Sequence, residues 1–125
     1  MSLTDMDLEE FQEYIENKSV IILFGSKKCE PCKLADEFLT SFMDFNKNNN
    51  KNFKFEYIKL INEQNPDLFI EKNILKYPHL YCYIDGEEQF NILGGKNIVN
   101  LFEKLFQDTI KEKEELGNCF NNEDF

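Results

Sequence analysis

The chain has 125 residues, one domain's worth, and 14% of them are aromatic, with 13 Phe; a packed core fits at this size, which argues against full disorder. All 14 basic residues are lysine and the formal net charge is −10, so phosphate backbones repel the surface and a nucleic-acid partner is not expected. The longest pure apolar run, Val20 to Phe24, is far below the roughly 20 residues of a membrane helix; with an acidic, amphipathic N-terminus and no signal-peptide core, the expectation is a cytoplasmic chain with reduced thiols and no membrane partner.

In chain order, Thr4 with Asp7 resembles a capping box, and Leu8, Phe11 and Ile15 share one face of a first helix. Val20 to Phe24 is continuously apolar, as a strand buried on both faces is. Gly25-Ser26-Lys27-Lys28 is a polar turn, and a second helix begins near Cys29 to Pro31, since proline suits a first helical position. Leu34, Ala35, Phe38, Leu39, Phe42 and Phe45 give it a wide apolar face, and Asn46 to Asn52 reads as a solvated loop. A second strand spans about 53 to 61, and Asn65-Pro66 starts a short helix that carries Leu68, Phe69 and Ile70. Tyr77-Pro78 breaks that helix, His79 to Ile84 forms a third strand, and Asp85-Gly86 signals a hairpin into a fourth strand, Gln89 to Leu93. After Gly94-Gly95 a last helix starts near Asn97 with Ile98, Leu101, Phe102 and Leu105 inward, and it fades near Lys111 to Glu115. The folded domain is taken as 1–112 and an acidic tail as 113–125.

This order predicts an α/β fold with a central mixed four-stranded sheet and helices on both faces. The helical crossover makes the first two strands parallel and the two-residue turn makes the last two antiparallel. Sites in open α/β sheets collect at the carboxyl ends of strands. Cys29 and Cys32 lie at that end of the first strand.

Cys-x-x-Cys at a helix start places both sulfurs on one turn, close enough to form a disulfide. The helix terminus supplies partial positive charge and free N–H groups, which favour a thiolate. Cys29 is then the outer sulfur and Cys32 the inner one. Lys27, Lys28 and Lys33 favour the Cys29 thiolate while Glu30 opposes it. Such a pair supports thiol–disulfide exchange, one thiolate attacking and the other resolving. Two other readings stand beside it. One is an inert, buried pair. The other is a metal set with His79 and Cys82, or an iron–sulfur cluster shared between two chains. Against a single metal set, His79 and Cys82 are three apart on a strand and point to opposite faces. Cys82 reads as a space-filling strand residue, Cys119 as a tail residue, His79 as a partly exposed one, and Lys59 as a solvated strand-end lysine or an acid–base group.

Lys28-Cys29-Glu30-Pro31-Cys32-Lys33 resembles the Trp-Cys-Gly-Pro-Cys-Lys signature of the thioredoxin family. Lys59-Leu60 and Gln64-Asn65-Pro66 are similar to its second core strand and following helix start, Tyr77-Pro78 to its cis-proline loop, Asp85-Gly86 to its hairpin and Gly94 to its late glycine. The resemblance covers roughly residues 5 to 110. It implies a thioredoxin-like fold with Cys29 as nucleophile and Cys32 as resolving thiol. It further implies a cis Pro78, a Tyr77 backbone that pairs with an extended substrate segment, and a shallow groove completed by Leu93 and Gly94. Lys28, Glu30, Pro31 and Lys59 would tune the thiols. The sequence departs from the family at Lys28 for Trp, Glu30 for Gly, Leu23 for a buried acidic residue, and Glu37 for a helix-kinking Pro, and the family's extra first strand is not expected before the opening helix.

The expected activity is reduction of protein disulfides by dithiol–disulfide exchange. The pair itself carries the electrons, so no organic cofactor and no metal are expected. The expected partners are disulfide-containing proteins and a thioredoxin-reductase-like or glutathione-type donor, with the chain a monomer. The alternative, motivated by the departures, is a thioredoxin-like binding module with weak or no redox activity.

Overall fold

Val20 to Phe24 needs two apolar surroundings, and the computed structural model, which describes residues 3–105, supplies both. Strand β1 (Ser19–Gly25) is buried from Val20 onward. Its side chains alternate between two cores, as the two-residue period of a strand requires. Val20, Ile22 and Phe24 join Phe11, Ile15, Leu68 and Phe69 on one face. Ile21 and Leu23 join Ala35, Leu39, Phe42, Ile98 and Phe102 on the other.

The sheet order is β2-β1-β3-β4. Strand β2 (Glu56–Ile61) is parallel to β1 and brings Lys59 opposite Leu23. Strand β3 (His79–Ile84) is antiparallel to β1 and pairs antiparallel with β4 (Glu87–Leu93). Helices α1 (Leu8–Ile15) and α3 (Pro66–Glu71) carry Phe11, Ile15, Leu68 and Phe69 into the first core. Helix α2 (Glu30–Asn49) and α4, helical from residue 95 through 105, supply the second. The expected mixed sheet with helices on both faces is the observed architecture. Among the described residues no helix is long and apolar enough to cross a membrane.

Several boundaries differ from expectation for local reasons. The cap of α1 is Asp7, not Thr4: Asp7 Oδ1 accepts the Glu10 N–H at 2.8 Å while Glu10 Oε1 accepts the Asp7 N–H at 3.2 Å. Helix α2 runs through Asn49 rather than stopping before Asn46, and Asn46 and Asn49 donate their amides to the Phe42 and Phe45 carbonyls at 2.8 Å each. Strand β2 starts at Glu56, not at 53; Phe53 and Phe55 pack against the α2-side core without joining a strand. Strand β4 starts directly after the Asp85-Gly86 turn, whose φ values of 52° and 80° fit a type I′ hairpin. Helix α4 starts at residue 95, two before Asn97. Leu34 and Leu105, expected on apolar, inward faces, are 61% and 41% exposed. The expected helix end near 111–115, the boundary at 112, the tail and Cys119 lie outside the described residues.

Asn65 precedes α3 as expected, yet its side chain makes no cap bond. It accepts the Met6 N–H at 2.9 Å and donates to the Leu3 carbonyl at 2.8 Å, tying the N-terminal segment to the sheet edge.

Candidate functional site

Strand β1 ends at Gly25 and the chain bends through Ser26–Lys28 into α2. Glu63, in the 3-10 turn Asn62–Gln64 that follows β2, holds this bend. Its carboxylate accepts the Ser26 hydroxyl at 2.6 Å and the Lys27 N–H at 3.1 Å. Those two donors, the hydroxyl foremost, hold the Glu63 carboxyl below its usual pKa.

Cys29 is the N-cap of α2 and Pro31 sits in its first turn. Cys29 and Cys32 are joined by a disulfide with a Cα–Cα distance of 5.2 Å, within the ordinary range for such a bridge. Cys29 Sγ also accepts the Cys32 N–H at 3.2 Å. This amide of the helix terminus is therefore aimed at the outer sulfur, where negative charge develops on reduction. Cys32 is fully buried and Cys29 only partly so. Gly25 makes this fit possible, because a Cβ there would lie 3.1 Å from Cys32 Sγ.

Lys27, Lys28, Glu30 and Lys33 are all exposed. Glu30 and Lys33 form a 3.5 Å ion pair, which at that exposure contributes little to stability. On the inner side, Leu23 is fully buried. The nearest described acid on α2 beyond Cys32 is Asp36, one turn on, which accepts the Tyr57 hydroxyl at 2.6 Å and pairs with Lys59 at 3.6 Å. Lys59 is thus half-buried and partnered rather than a solvated strand-end residue. Burial, reinforced by the bond to Asp36, pushes the Tyr57 phenol far above its usual value.

The Tyr77–Pro78 peptide is cis. The Pro78 carbonyl accepts the Gly94 N–H at 2.8 Å, which ties the Leu93-Gly94 segment to the proline loop. Gly94 has φ of 101°, a conformation glycine adopts without strain. Gly95 closes the arrangement: a Cβ there would sit 3.3 Å from Pro31 Cβ and 3.7 Å from Pro78 Cγ. The structure therefore gathers Cys29, Cys32, Pro31, Pro78 and Gly94 at one end of the sheet. Leu93, 39% exposed, and Tyr77, partly buried, flank them.

Among the described residues no three His, Cys, Asp or Glu side chains are grouped as ligands. His79 Nε2 lies 2.9 Å from Asn91 Oδ1. Cys82 is buried in the α2-side core, and burial raises its thiol pKa. Sequence reading missed Gly25, Gly95, Glu63, Asp36 and Tyr57, whose parts depend on contacts between distant segments.

The thioredoxin family model matches residues 2–107. Comparison with curated protein sequences returned no match. Among solved structures, the oxidised mitochondrial thioredoxin 3 of Saccharomyces cerevisiae is 26% identical with a TM-score of 0.63, covering 82% of this chain and 90% of that one. A chain from a structure on thiol resolution in yeast mitochondrial 1-Cys peroxiredoxin via glutathione/thioredoxin systems is 25% identical, with a TM-score of 0.63 and coverage of 82% and 90%. Trypanosoma brucei brucei thioredoxin is 20% identical with a TM-score of 0.64, covering 84% and 87%, and at that identity attests the fold. The match over most of the chain, on a sheet and a cysteine pair that agree with it, establishes that this protein belongs to the thioredoxin family, for which thiol–disulfide oxidoreduction is the general chemistry.

Proposed function

We propose that the chain reduces protein disulfides through Cys29 and Cys32. The observation that carries this reading is the asymmetry of the bonded pair: both sulfurs lie at a helix N-terminus, the outer reachable and the inner sealed. In the reduced protein, the Cys29 thiolate attacks one sulfur of a substrate disulfide. A Cys29–substrate bond forms and the other substrate sulfur leaves as a thiolate. Cys32 loses its proton and attacks Cys29 Sγ, which forms the Cys29–Cys32 disulfide and releases the second substrate sulfur. The substrate gains two electrons and takes up two protons, and the pair loses two electrons.

Lys28 and its neighbours Lys27 and Lys33 favour the attacking thiolate against Glu30, each by no more than the ~1 kcal/mol of an exposed charge at 4 Å. Pro31 fixes the first turn. Lys59 is engaged by Asp36, whose carboxylate offsets its charge, so the Cys32 proton passes to solvent once the mixed disulfide has opened the cysteine pair. The Tyr77 backbone pairs with an extended substrate segment beside Pro78, and Leu93 and Gly94 form the far wall. No bound organic cofactor enters the cycle, because the pair carries both electrons. A thioredoxin-reductase-like or glutathione-type donor restores the dithiol, in keeping with the glutathione/thioredoxin systems named for the yeast relative. A reducing compartment such as the cytoplasm suits that direction of flow.

The test is turnover of insulin disulfides under dithiothreitol. Cys29→Ser is expected to abolish it, and Cys32→Ser to accumulate the Cys29–substrate adduct. Undiminished turnover in Cys29→Ser removes the proposed nucleophile. A pair that glutathione buffers cannot cycle favours the binding-module alternative.

A further inference from the structure

A groove of about 410 Å³ opens beside the disulfide, between the first turns of α2 and α4, lined by Pro31, Leu34, Ala35, Gly95, Lys96 and Val99. That volume falls in the range of sites that take a ligand. Leu34, two residues past Cys32, is 61% exposed and turns a full leucine side chain toward this space instead of the core. The apolar floor offers a charged phosphate or a free ion nothing, and suits an apolar side chain of a protein segment.

The charge around the groove runs against that of the chain. The net charge is −10, yet exposed Lys27, Lys28 and Lys33 border the cysteine pair, Lys76 precedes Tyr77, and Lys96 stands on the groove wall. Of the carboxylates near the first turns of α2, Glu30 is paired with Lys33, Asp36 with Lys59, and Glu63 is held by Ser26 and the Lys27 N–H, which leaves exposed Glu37 against these lysines. Screening over about 8 Å at physiological salt confines what a docked segment feels to these neighbours. The bulk negative charge of the molecule is then largely hidden from it.

We propose that this groove selects acidic, disulfide-bearing protein segments, seating an apolar side chain against Leu34 and Val99 while flanking Asp or Glu residues face Lys96 on the groove wall and exposed Lys27 and Lys28 beside the cysteine pair. The inference rests on the disulfide-reducing reading and names the substrate class for that site. Complementary charge of this kind acts mainly on the rate of encounter, and so on kcat/KM and its salt dependence.

The experiment compares two disulfide-linked peptides carrying the same leucine beside the cystine, one flanked by Glu and one by Lys, with hydroxyethyl disulfide as an uncharged reference. The full chain is expected to favour the acidic peptide by about 10-fold in kcat/KM at about 0.15 M salt, where screening hides the bulk charge, with the preference fading as salt rises toward about 1 M. Lys96→Glu is expected to bring the ratio of the two peptides close to one. Leu34→Ser is expected to remove the advantage of leucine over serine in the acidic peptide. A ratio near one in the unaltered chain, or one that salt and Lys96→Glu leave unchanged, overturns the proposal while hydroxyethyl disulfide turnover keeps the disulfide-reducing reading intact. Loss of hydroxyethyl disulfide turnover itself overturns that reading instead. A faster reaction of Lys96→Glu with both peptides would assign the groove to the chain's own acidic C-terminal residues and also overturn the proposal.

Discussion

Gly25 at the end of β1 is in van der Waals contact with Cys32, so close that a methyl group at position 25 would come 3.1 Å from the sulfur and 3.2 Å from its Cβ. The last strand residue thus sets how deeply the inner thiol sits. The backbone of Gly25 lies outside the left-handed region, so alanine brings no torsional strain there. The cost is steric: overpacking a fitted site costs about 1–3 kcal/mol, against about 0.4–1 kcal/mol gained by stiffening the unfolded chain. Gly25→Ala is expected to lose stability on balance, by about 1 kcal/mol or more, in urea unfolding of the oxidised protein. Equal or higher stability would show that α2 shifts freely away from β1.

Asn65 holds the N-terminal segment rather than its own helix. It is fully buried and is the acceptor for the buried Met6 amide. Asn65→Ala leaves that N–H without its partner, and the expected loss is about 1–3 kcal/mol. The amide-exchange rate of Met6 should rise with it. If Met6 protection is unchanged in the variant, the bond is not what fixes the segment.

What could be read from the sequence was whatever local chemistry decides. The apolar run of β1 has one explanation, burial on both faces, and it is buried on both. A type I′ turn needs residues that accept positive φ, and Asp85-Gly86 supplies them at 52° and 80°. The cysteine pair was legible because strand, turn, proline and spacing agree within a dozen residues. Asn46 and Asn49 misled because asparagine favours loops on average, whereas here each amide bonds back to a carbonyl four residues earlier and continues the helix. Periodicity placed Leu34 on an apolar face, but period alone does not distinguish a face that meets the sheet from one that walls a groove. Gly25, Gly95 and Asn65 act on partners that lie elsewhere in the chain, and no local pattern announces them.

The Tyr57 hydroxyl and Lys59 ammonium both serve Asp36, at 2.6 and 3.6 Å. Tyr57→Phe removes the shorter bond and leaves the carboxylate, 32% exposed, to Lys59 and water. A net hydrogen bond contributes about 0.5–1.5 kcal/mol, and partial access to water places the expected loss at about 1 kcal/mol. Thermal or urea unfolding reads it. Lys59→Met in the same background should cost less than in the unaltered chain, since the two residues share one partner; strict additivity would show that they act independently.

Alkaline pH should unfold this protein through its phenols. Burial foremost, then the bond to Asp36, raises Tyr57 far above its ordinary value, and burial followed by the charge of Glu88 does the same to Tyr83. Above pH ~10 the unfolded chain ionises these tyrosines while the folded chain keeps them protonated. The unfolded state then binds fewer protons, and stability falls by about 1.4 kcal/mol per pH unit for each such group. Lys72 opposes the trend over a limited window. Its ammonium donates to the Tyr83 hydroxyl at 2.8 Å and lies about 5 Å from the Phe11 and Tyr81 ring centres, and burial lowers its pKa. From that lowered value up to the ordinary lysine pKa the folded state sheds the proton first, so stability rises with pH, and above it the contribution stays constant. Beyond pH ~10.5 the phenols alone set the slope. Urea midpoints of the oxidised protein should therefore drop steeply between pH 10 and 11, with phenolate absorbance near 295 nm developing in full only on unfolding. Tyr57→Phe should make the slope shallower by about 1.4 kcal/mol per pH unit; a slope indifferent to that change would show that the Tyr57 phenol ionises in the folded chain.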